Sequence, residues 1–373
     1  MKNTGINKYI KSYIDYHKLP ITDYKKTIKF IECKKVMGIK RDKINLAIDF
    51  SNLYYSILNK SKYIESIISF TEYLDKNNFK PIFVFDGKPP DIKKYTIQKR
   101  KKDKDKAQKK VDKFKEELET IYSLEETTSD EKQLEQIQKD KIQIKNNIIK
   151  FSKRTVKLTK KHTKIAQDLF DFLNLTYVHI DKEADYICAN LVKNGVADAC
   201  LSNDYDLLAF QCPVILRDLN IFTHSVEILF LDDVCNMMKI NKDQLTYLNI
   251  MNGCDYSLPI QDYKLSYIHS LFIDDLEMDE ILEIISKISY NYIDAFNLFT
   301  DKIILDKNNI CCYKTEKTLN TKNINNYLTS LESTFDEKIL DDISYNLEQY
   351  IEKRYVEESI VKSDEIIDLF DLI

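Results

Sequence analysis

The chain has 373 residues, enough for about two domains or one large α/β domain with extensions. Hydrophobic residues make up 43% and charged residues 31%, the balance of a soluble globular protein, and no run approaches the roughly 18 apolar residues of a membrane span. The net charge of −4 hides an asymmetry: Lys88 to Lys110 holds eleven basic residues against three acids, whereas Asn323 to the end holds thirteen acids against four bases. The basic segment is a candidate phosphate track, and the acidic tail confines any such surface to the first two thirds.

The N-terminus, MKNTGINKYIKSYIDYHK, has no apolar secretory core, and residues 1 to 40 read as mainly helical and basic. The eight cysteines form no C-x-x-C pair and lie mostly in apolar runs, so they read as buried free thiols of an intracellular, reducing compartment rather than a zinc site. KINLAIDFSNLYY then gives an apolar strand that stops at Asp49. YIESIISFTEYLDKNN is an amphipathic helix, and FKPIFVFDGKPP is a second strand that stops at Asp86. Strand, helix, strand within about forty residues is a βαβ unit, so the two strands should be parallel neighbours.

Lys93 to Asn174 contains no Gly or Pro and is rich in Lys, Glu and Gln. Val111, Phe114, Leu118 and Ile121 fall on one helix face. SLEETTSDEKQ breaks the segment into at least two helices. Its apolar surface is too small for a domain, so it should project from the sheet. NLTYVH is a further strand leading to the most informative stretch, Asp181 to Phe210. There YICANLVKNG is a helix stopped by Gly195, and VADACLS is a strand that delivers the NDYD turn. PVILRDL and FTHSVEILFLD follow as a strand and hairpin. The helix LTYLNIMNG runs into Cys254-Asp255-Tyr256, and the remainder is mostly helical.

Seven acids stand out: Asp49, Asp86, Glu183, Asp185, Asp204, Asp206 and Asp255. One pair alone would be ordinary, because Asp caps helices and favours turns. Most of these acids, however, follow strands in a parallel α/β pattern, whose ligands bind outside the carboxyl ends of the strands. Carboxylates converging there repel one another unless cations hold them, and Mg²⁺ accepts such hard oxygen ligands. A two-metal phosphodiesterase needs this arrangement, with two ions roughly 4 Å apart at the scissile phosphate. No Ser/His/Asp relay or glycine-rich phosphate loop competes with it.

On these residues the chain resembles the flap endonuclease family, the structure-specific 5′ nucleases that include xeroderma pigmentosum group G. Ile48-Asp49-Phe50-Ser51 matches the family's "IDxS", and "VFDGKPP" stands unchanged at Val84 to Pro90. Glu183-Ala184-Asp185 through Gly195 matches "EAEAxxAxLVKxG". Asp204-Tyr205-Asp206 through Phe210 matches "xxDxDxLxF", and Gly253-Cys254-Asp255-Tyr256 matches "GSDY". KFSKRTVKLTKKH, Lys150 to His162, resembles the family's connecting helix. The resemblance covers roughly residues 41 to 260. Asp185 stands where flap endonucleases carry a second Glu, as in the exonuclease branch, a change that should keep metal binding.

The resemblance implies a mostly parallel α/β sheet flanked by helices, a PIN-like nuclease core over 1–260. It also implies a long helical arch at about 91–160 and a helical C-terminal region over 261–373. It further implies two Mg²⁺ ions, with Mn²⁺ able to substitute. Asp49, Asp86, Glu183 and Asp185 would hold mainly the first ion, and Asp204, Asp206 and Asp255 the second. Lys93 and Arg100, seven residues apart on a basic helix, correspond to the family's phosphate-contacting pair. Tyr55 or its neighbour Tyr54 corresponds to a base-stacking tyrosine, and Lys88, Lys99 and Lys101 are assigned to DNA contact.

Two departures stand beside these matches. Asp262-Tyr263-Lys264-Leu265 occupies the place of the family's "GIGP" hairpin turn without a glycine. Asp364 to Phe370 keeps an aliphatic and one aromatic residue of a sliding-clamp peptide but lacks its Gln. The expected function is metal-dependent 5′ nuclease action on flapped or branched DNA, in the nucleus or another site of replication. The clamp is a candidate partner. A 5′→3′ exonuclease and a non-catalytic DNA-binding scaffold are the alternatives.

Overall fold

The computed structural model describes residues 6–58, 62–173, 175–260, 263–273 and 292–301, with positions 280, 283, 310 and 311. It divides into two compact units, one formed by the described parts of 1–89 and 160–373, the other by 90–159. The C-terminal segment Asp364 to Phe370 and Asp262 of the hairpin position lie outside the described residues.

The first unit is built on one sheet. Its strands are β1 (Lys26–Lys29), β2 (Ile44–Asp49), β3 (Phe79–Phe85), β4 (Thr176–His179), β5 (Ala199–Leu201), β6 (Val214–Asn220), β7 (Ser225–Phe230) and β8 (Ile310–Cys311). They lie in the order β1-β7-β6-β5-β2-β3-β4-β8. The five strands from β6 to β4 run parallel, and β7 and β8 pair antiparallel at the flanks. The mostly parallel sheet and the βαβ unit expected from the sequence are therefore present, with Asp49 of β2 in register with Val84 of β3.

The central strands INLAID and FKPIFVF are apolar and almost fully buried, as strands covered on both faces must be. Pro81, which has no N–H, lies one residue before the β3–β4 ladder begins at Ile82. From β2 the chain winds outward to β3 and β4, then returns through the helix Ala184–Lys193 to place β5 on the other side of β2. The strand order thus reverses between β2 and β5, and the crevice at such a reversal is where open α/β sheets bind ligands.

Two expectations are corrected. The first 40 residues are not simply helical: the helix Ile6–His17 is followed by β1, which pairs antiparallel with β7. Four residues, three exposed and one partly buried, with lysines at both ends, suit a sheet edge and carry no clear strand period. Lys150 to His162 is also not one helix. The helix Glu131–Thr155 ends before Val156, and a new one, Lys160–Phe172, begins after four residues outside any helix or strand. The cysteines at 33, 188, 200, 212 and 235 are buried free thiols, as their apolar settings suggested.

The second unit is a helical hairpin, Lys94–Thr127 and Glu131–Thr155, reversed at Thr128 to Asp130 within the stretch expected to break it. Asp130 caps the second helix by accepting from Lys132 N–H at 3.0 Å. The seam is thin. Ala107 and Val111 are buried, Phe114 stacks on Phe151 at 5.8 Å, and Lys141 pairs with Glu125 at 2.7 Å.

Candidate active site

All seven acids belong to the first unit. Asp49 ends β2 and caps the helix Phe50–Ser56, so the apolar strand delivers its carboxylate into a nearly closed position, 5% exposed. Its oxygens accept from Asn52 N–H at 2.9 Å and Ser202 Oγ at 3.0 Å. Despite those donors, burial, then the charge of Asp86, and then that of Asp204 push the Asp49 carboxyl up to about 7.

Asp86 follows β3, accepts from Ser51 Oγ, and accepts from Ala184 N–H at 3.0 Å. Ala184 opens the helix Ala184–Lys193, so Asp86 sits against the electropositive end of the helix that bears Asp185. Gly87 permits this approach. Its N–H donates to the Lys182 carbonyl at 2.8 Å, and an added Cβ would stand 2.0 Å from the Ile180 oxygen.

Glu183 is the N-cap residue of the same helix and accepts from the Tyr256 hydroxyl. Asp204 follows β5 and accepts from Asp206 N–H at 3.0 Å, which folds the NDYD turn. Asp206 accepts from Asn249 Nδ2 at 3.2 Å. Asp255 lies beyond the helix Lys242–Asn252, in a turn where Gly253 has a φ of 87°.

The electrostatics group these acids. Tyr256 is held well above the ordinary tyrosine range by burial, then by the charges of Glu183 and Asp185, its hydrogen bond to Glu183, and the charge of Asp206. Cys254 is pushed up to about 12 by burial, then by Asp206, with a further contribution from Asp255. Asp49 thus feels the charges of Asp86 and Asp204, Tyr256 those of Glu183, Asp185 and Asp206, and Cys254 those of Asp206 and Asp255, while Cys188, raised first by burial, feels both Asp49 and Asp185.

Among the described residues, no three acidic, histidine or cysteine side chains stand close enough to enclose an ion as they are. The carboxylates of Asp49, Asp86, Glu183, Asp204 and Asp206 are turned onto protein donors instead. The donor set still fits a hard divalent cation. All seven groups are carboxylates, and the repulsion that raises Asp49 is what such a cation relieves.

Of the two candidate stacking residues, Tyr54 is 2% exposed, with its ring against Tyr63 and His162, whereas Tyr55 is 39% exposed. Lys88 is exposed in the turn after Asp86 and donates its N–H to Asp181 at 2.9 Å. The other basic candidates lie in the second unit. Lys93 ends a short turn of 3₁₀ helix, Asp91–Lys93, just before the long helix that carries Lys99, Arg100 and Lys101. Lys104 has its pKa lowered by burial and then by Lys157 and Arg100, so these three cations crowd together there.

The XPG N-terminal domain model matches residues 38–107, and the XPG I-region model matches residues 174–255. These two segments carry the XPG N-terminal domain and the XPG I-region. Flap endonuclease 1 of Methanococcus aeolicus is 25% identical over 188 residues, 50% of each chain. The Kluyveromyces lactis protein of that name is 31% identical over 184 residues, 48% of this chain and 41% of its own. The chain thus covers less than two thirds of the length of the curated relatives it matches, and about half in most cases. Among solved structures, flap endonuclease-1 from Methanococcus jannaschii aligns with a TM-score of 0.55 at 18% identity, over 88% of this chain and 97% of its own. Human GEN1, solved in complex with Holliday junction DNA, aligns with a TM-score of 0.53 at 15% identity, over 91% of this chain and 78% of its own. At those identities the structural likeness shows a shared fold.

Within the family frame, the sequence reading missed the residues that hold the acids: Ser51, Asn52, Ser202, Asn249 and Tyr256. Ser51 and Tyr256 lie inside matched motifs and could have been found there. Asn249 sits in a helix buried at every position from Leu245 to Met251, and the sequence around it carries no motif that marks it.

Proposed function

We propose that the protein is a divalent-metal-dependent, structure-specific 5′ nuclease that hydrolyses phosphodiesters in flapped or branched DNA. The observation that carries this reading is the convergence of acids at one sheet edge, from the ends of β2, β3 and β5 and the start of the helix after β4. It supports Asp49, Asp86, Glu183, Asp185, Asp204, Asp206 and Asp255 as the residues that would hold two Mg²⁺ ions, or Mn²⁺ in their place. The chemistry such ions supply when bound is neutralisation of phosphate charge and activation of water. Ser51, Ser202, Asn249 and Tyr256 orient carboxylates that would otherwise repel one another. Lys93 and Arg100 offset charge on the scissile phosphate, Tyr55 stacks on a base near the cut, and Lys88, Lys99 and Lys101 track the backbone. The site of action is the nucleus or another place of DNA replication, and Asp364 to Phe370 is a candidate contact for a sliding clamp.

The test is cleavage in Mg²⁺ of end-labelled 5′ flap, bubble, four-way junction, nicked duplex and single-stranded DNA, with Asp206→Ala alongside. Selective cutting near one junction, lost in the variant, is the expected result; full activity in Asp206→Ala would remove the site assignment. A ladder of mononucleotides would point to a 5′→3′ exonuclease. The alternative from another class is a non-catalytic DNA-binding scaffold. Flap binding that survives chelation, without cutting in Mg²⁺ or Mn²⁺, would establish that reading.

A further inference from the structure

A buried cation lies against the acidic turn. Arg217 sits on β6, beside β5, and is 3% exposed. Its Cζ lies 3.4 Å from the centroid of the Tyr205 ring, and Nη2 donates to the Asn203 carbonyl at 2.7 Å. Nε and Nη1 are buried without a hydrogen-bond partner. Its cross-strand neighbour Glu227 is paired with Lys25 instead. Burying a guanidinium on these terms is expensive, so packing alone is a poor account of the residue.

The backbone is bent to make these contacts. The β6–β7 ladder shifts register between Arg217 and Asn220, and Asp218 takes a φ of 48°. A bulge of this kind re-aims the groups beside it. Here it brings Asp218 N–H to Asn203 Oδ1 at 2.7 Å. On the other side, Asn203 N–H donates to Asn52 Oδ1 at 3.0 Å, on the helix that Asp49 caps. The Tyr205 hydroxyl lies 2.7 Å from that of Tyr24, which donates its own proton to Asn7 on the N-terminal helix. Tyr205 must therefore donate to Tyr24. The turn from Asn203 to Asp206 is thus gripped from three elements, and Arg217 contacts both residues that flank Asp204.

We propose that Arg217 is a positioning residue for metal binding: a fixed cation and strut that sets the Asn203–Asp206 turn so that Asp204 and Asp206 present their carboxylates at the sheet edge. The proposal rests on the nuclease reading above. A purely structural role for Arg217 would lower stability without changing the metal requirement of the folded protein.

The full-length chain is titrated with Tb³⁺, whose luminescence is excited through tyrosine; the chain has 24 tyrosines and no tryptophan. In parallel, the half-saturating Mg²⁺ for cleavage is measured, with flap affinity taken in Ca²⁺. Arg217→Met should weaken Tb³⁺ binding and raise the Mg²⁺ requirement by about tenfold, the scale found for groups that orient metal ligands. Flap affinity should stay within about twofold. Arg217→Lys, which keeps the charge and loses the planar fork, should recover part of the loss. Tyr24→Phe, a milder change outside the acidic edge, should shift both titrations two- to threefold the same way, and it decides the matter if Arg217→Met does not fold. Wild-type Tb³⁺ binding that is lost in Asp206→Ala, but unchanged in folded Arg217→Met or in Tyr24→Phe, overturns the role of Arg217 alone. Wild-type protein that binds no Tb³⁺, or binds it equally with Asp206→Ala, overturns the metal site itself and this proposal with it.

Discussion

Gly87→Ala tests whether the site depends on the close approach of two loops. A Cβ at this position would stand 2.0 Å from the Ile180 carbonyl oxygen and 2.6 Å from Lys182 N, where ordinary contact begins at 3.4 Å. The clashing atoms are backbone on both sides, so no rotamer relieves them, and the loops must part by about 1.4 Å. Parting them breaks the Gly87–Lys182 hydrogen bond and loosens the charge-assisted one from Ala184 to Asp86. With ~1 kcal/mol for the first and ~2–3 kcal/mol for the second, the loss is about 3–4 kcal/mol. Thermal unfolding followed by circular dichroism should then shift down by roughly 6–12 °C. Asp86 is displaced with the loop, and a misplacement near 1 Å costs about 100-fold in kcat on the cleaved substrate. A variant that melts within about 2 °C of wild type and cuts within about threefold would refute the argument that this glycine sets the distance between Asp86 and the Glu183 loop.

Three further outcomes follow from the geometry. Tyr256→Phe removes the hydroxyl that holds Glu183 and should raise the half-saturating Mg²⁺ by about tenfold, the equivalent of one hydrogen bond to a charged group; an unchanged Mg²⁺ titration would show that Glu183 does not need it. Arg100→Ala should lower kcat by at least about 100-fold while flap affinity in Ca²⁺ stays within about threefold, as for a group that acts on developing charge; equal losses in both would make Arg100 a binding residue only. His269 donates from Nε2 to the Met238 carbonyl and accepts from the Tyr9 hydroxyl at Nδ1, and its pKa is lowered by burial first and also by His17. The unfolded chain then takes up a proton that the folded one refuses, so His269 should favour folding above the ordinary histidine value near 6.5 and lose that contribution as pH falls below it. Urea midpoints measured from pH 7.5 to 5 should fall less steeply in His269→Gln, and an identical slope would exclude this histidine as the source.

The parallel sheet and the placement of the acids were legible because the evidence for them is local. INLAID and FKPIFVF are mostly apolar runs, the first ending on Asp49 and the second followed by Asp86, and the helix before Gly195 has a clear period. What was not legible depends on contacts between distant segments. Gly87 reads as part of a turn, and only the passage of Ile180 to Lys182 across it shows why it has no side chain. Arg217 reads as one charged residue in a strand, because the sequence says nothing of the bulge after it or of the ring it lies on. The edge strand β1 escaped notice because four mostly exposed residues show no alternation, and their ladder with β7 spans about two hundred positions.

The hydrogen bonds of the acidic edge form a connected set in which acids are held by the neighbours of other acids. Asp49 is held by Ser202, two residues before Asp204, and Asp86 by the backbone between Glu183 and Asp185. Asp204 is held by the N–H of Asp206, and Glu183 by the residue after Asp255. Asp49, Asp86, Glu183 and Asp204 therefore contribute in two ways, through their own charge and through the loop that their hydrogen bonds steady for the next. Replacing one acid by Ala removes repulsion and a brace together, so single substitutions need not sum to the effect of double ones. A cation bound at this edge would relieve the repulsion while leaving the braces in place. That gives a physical reason for the elaborate protein scaffolding around groups that, by charge alone, would move apart.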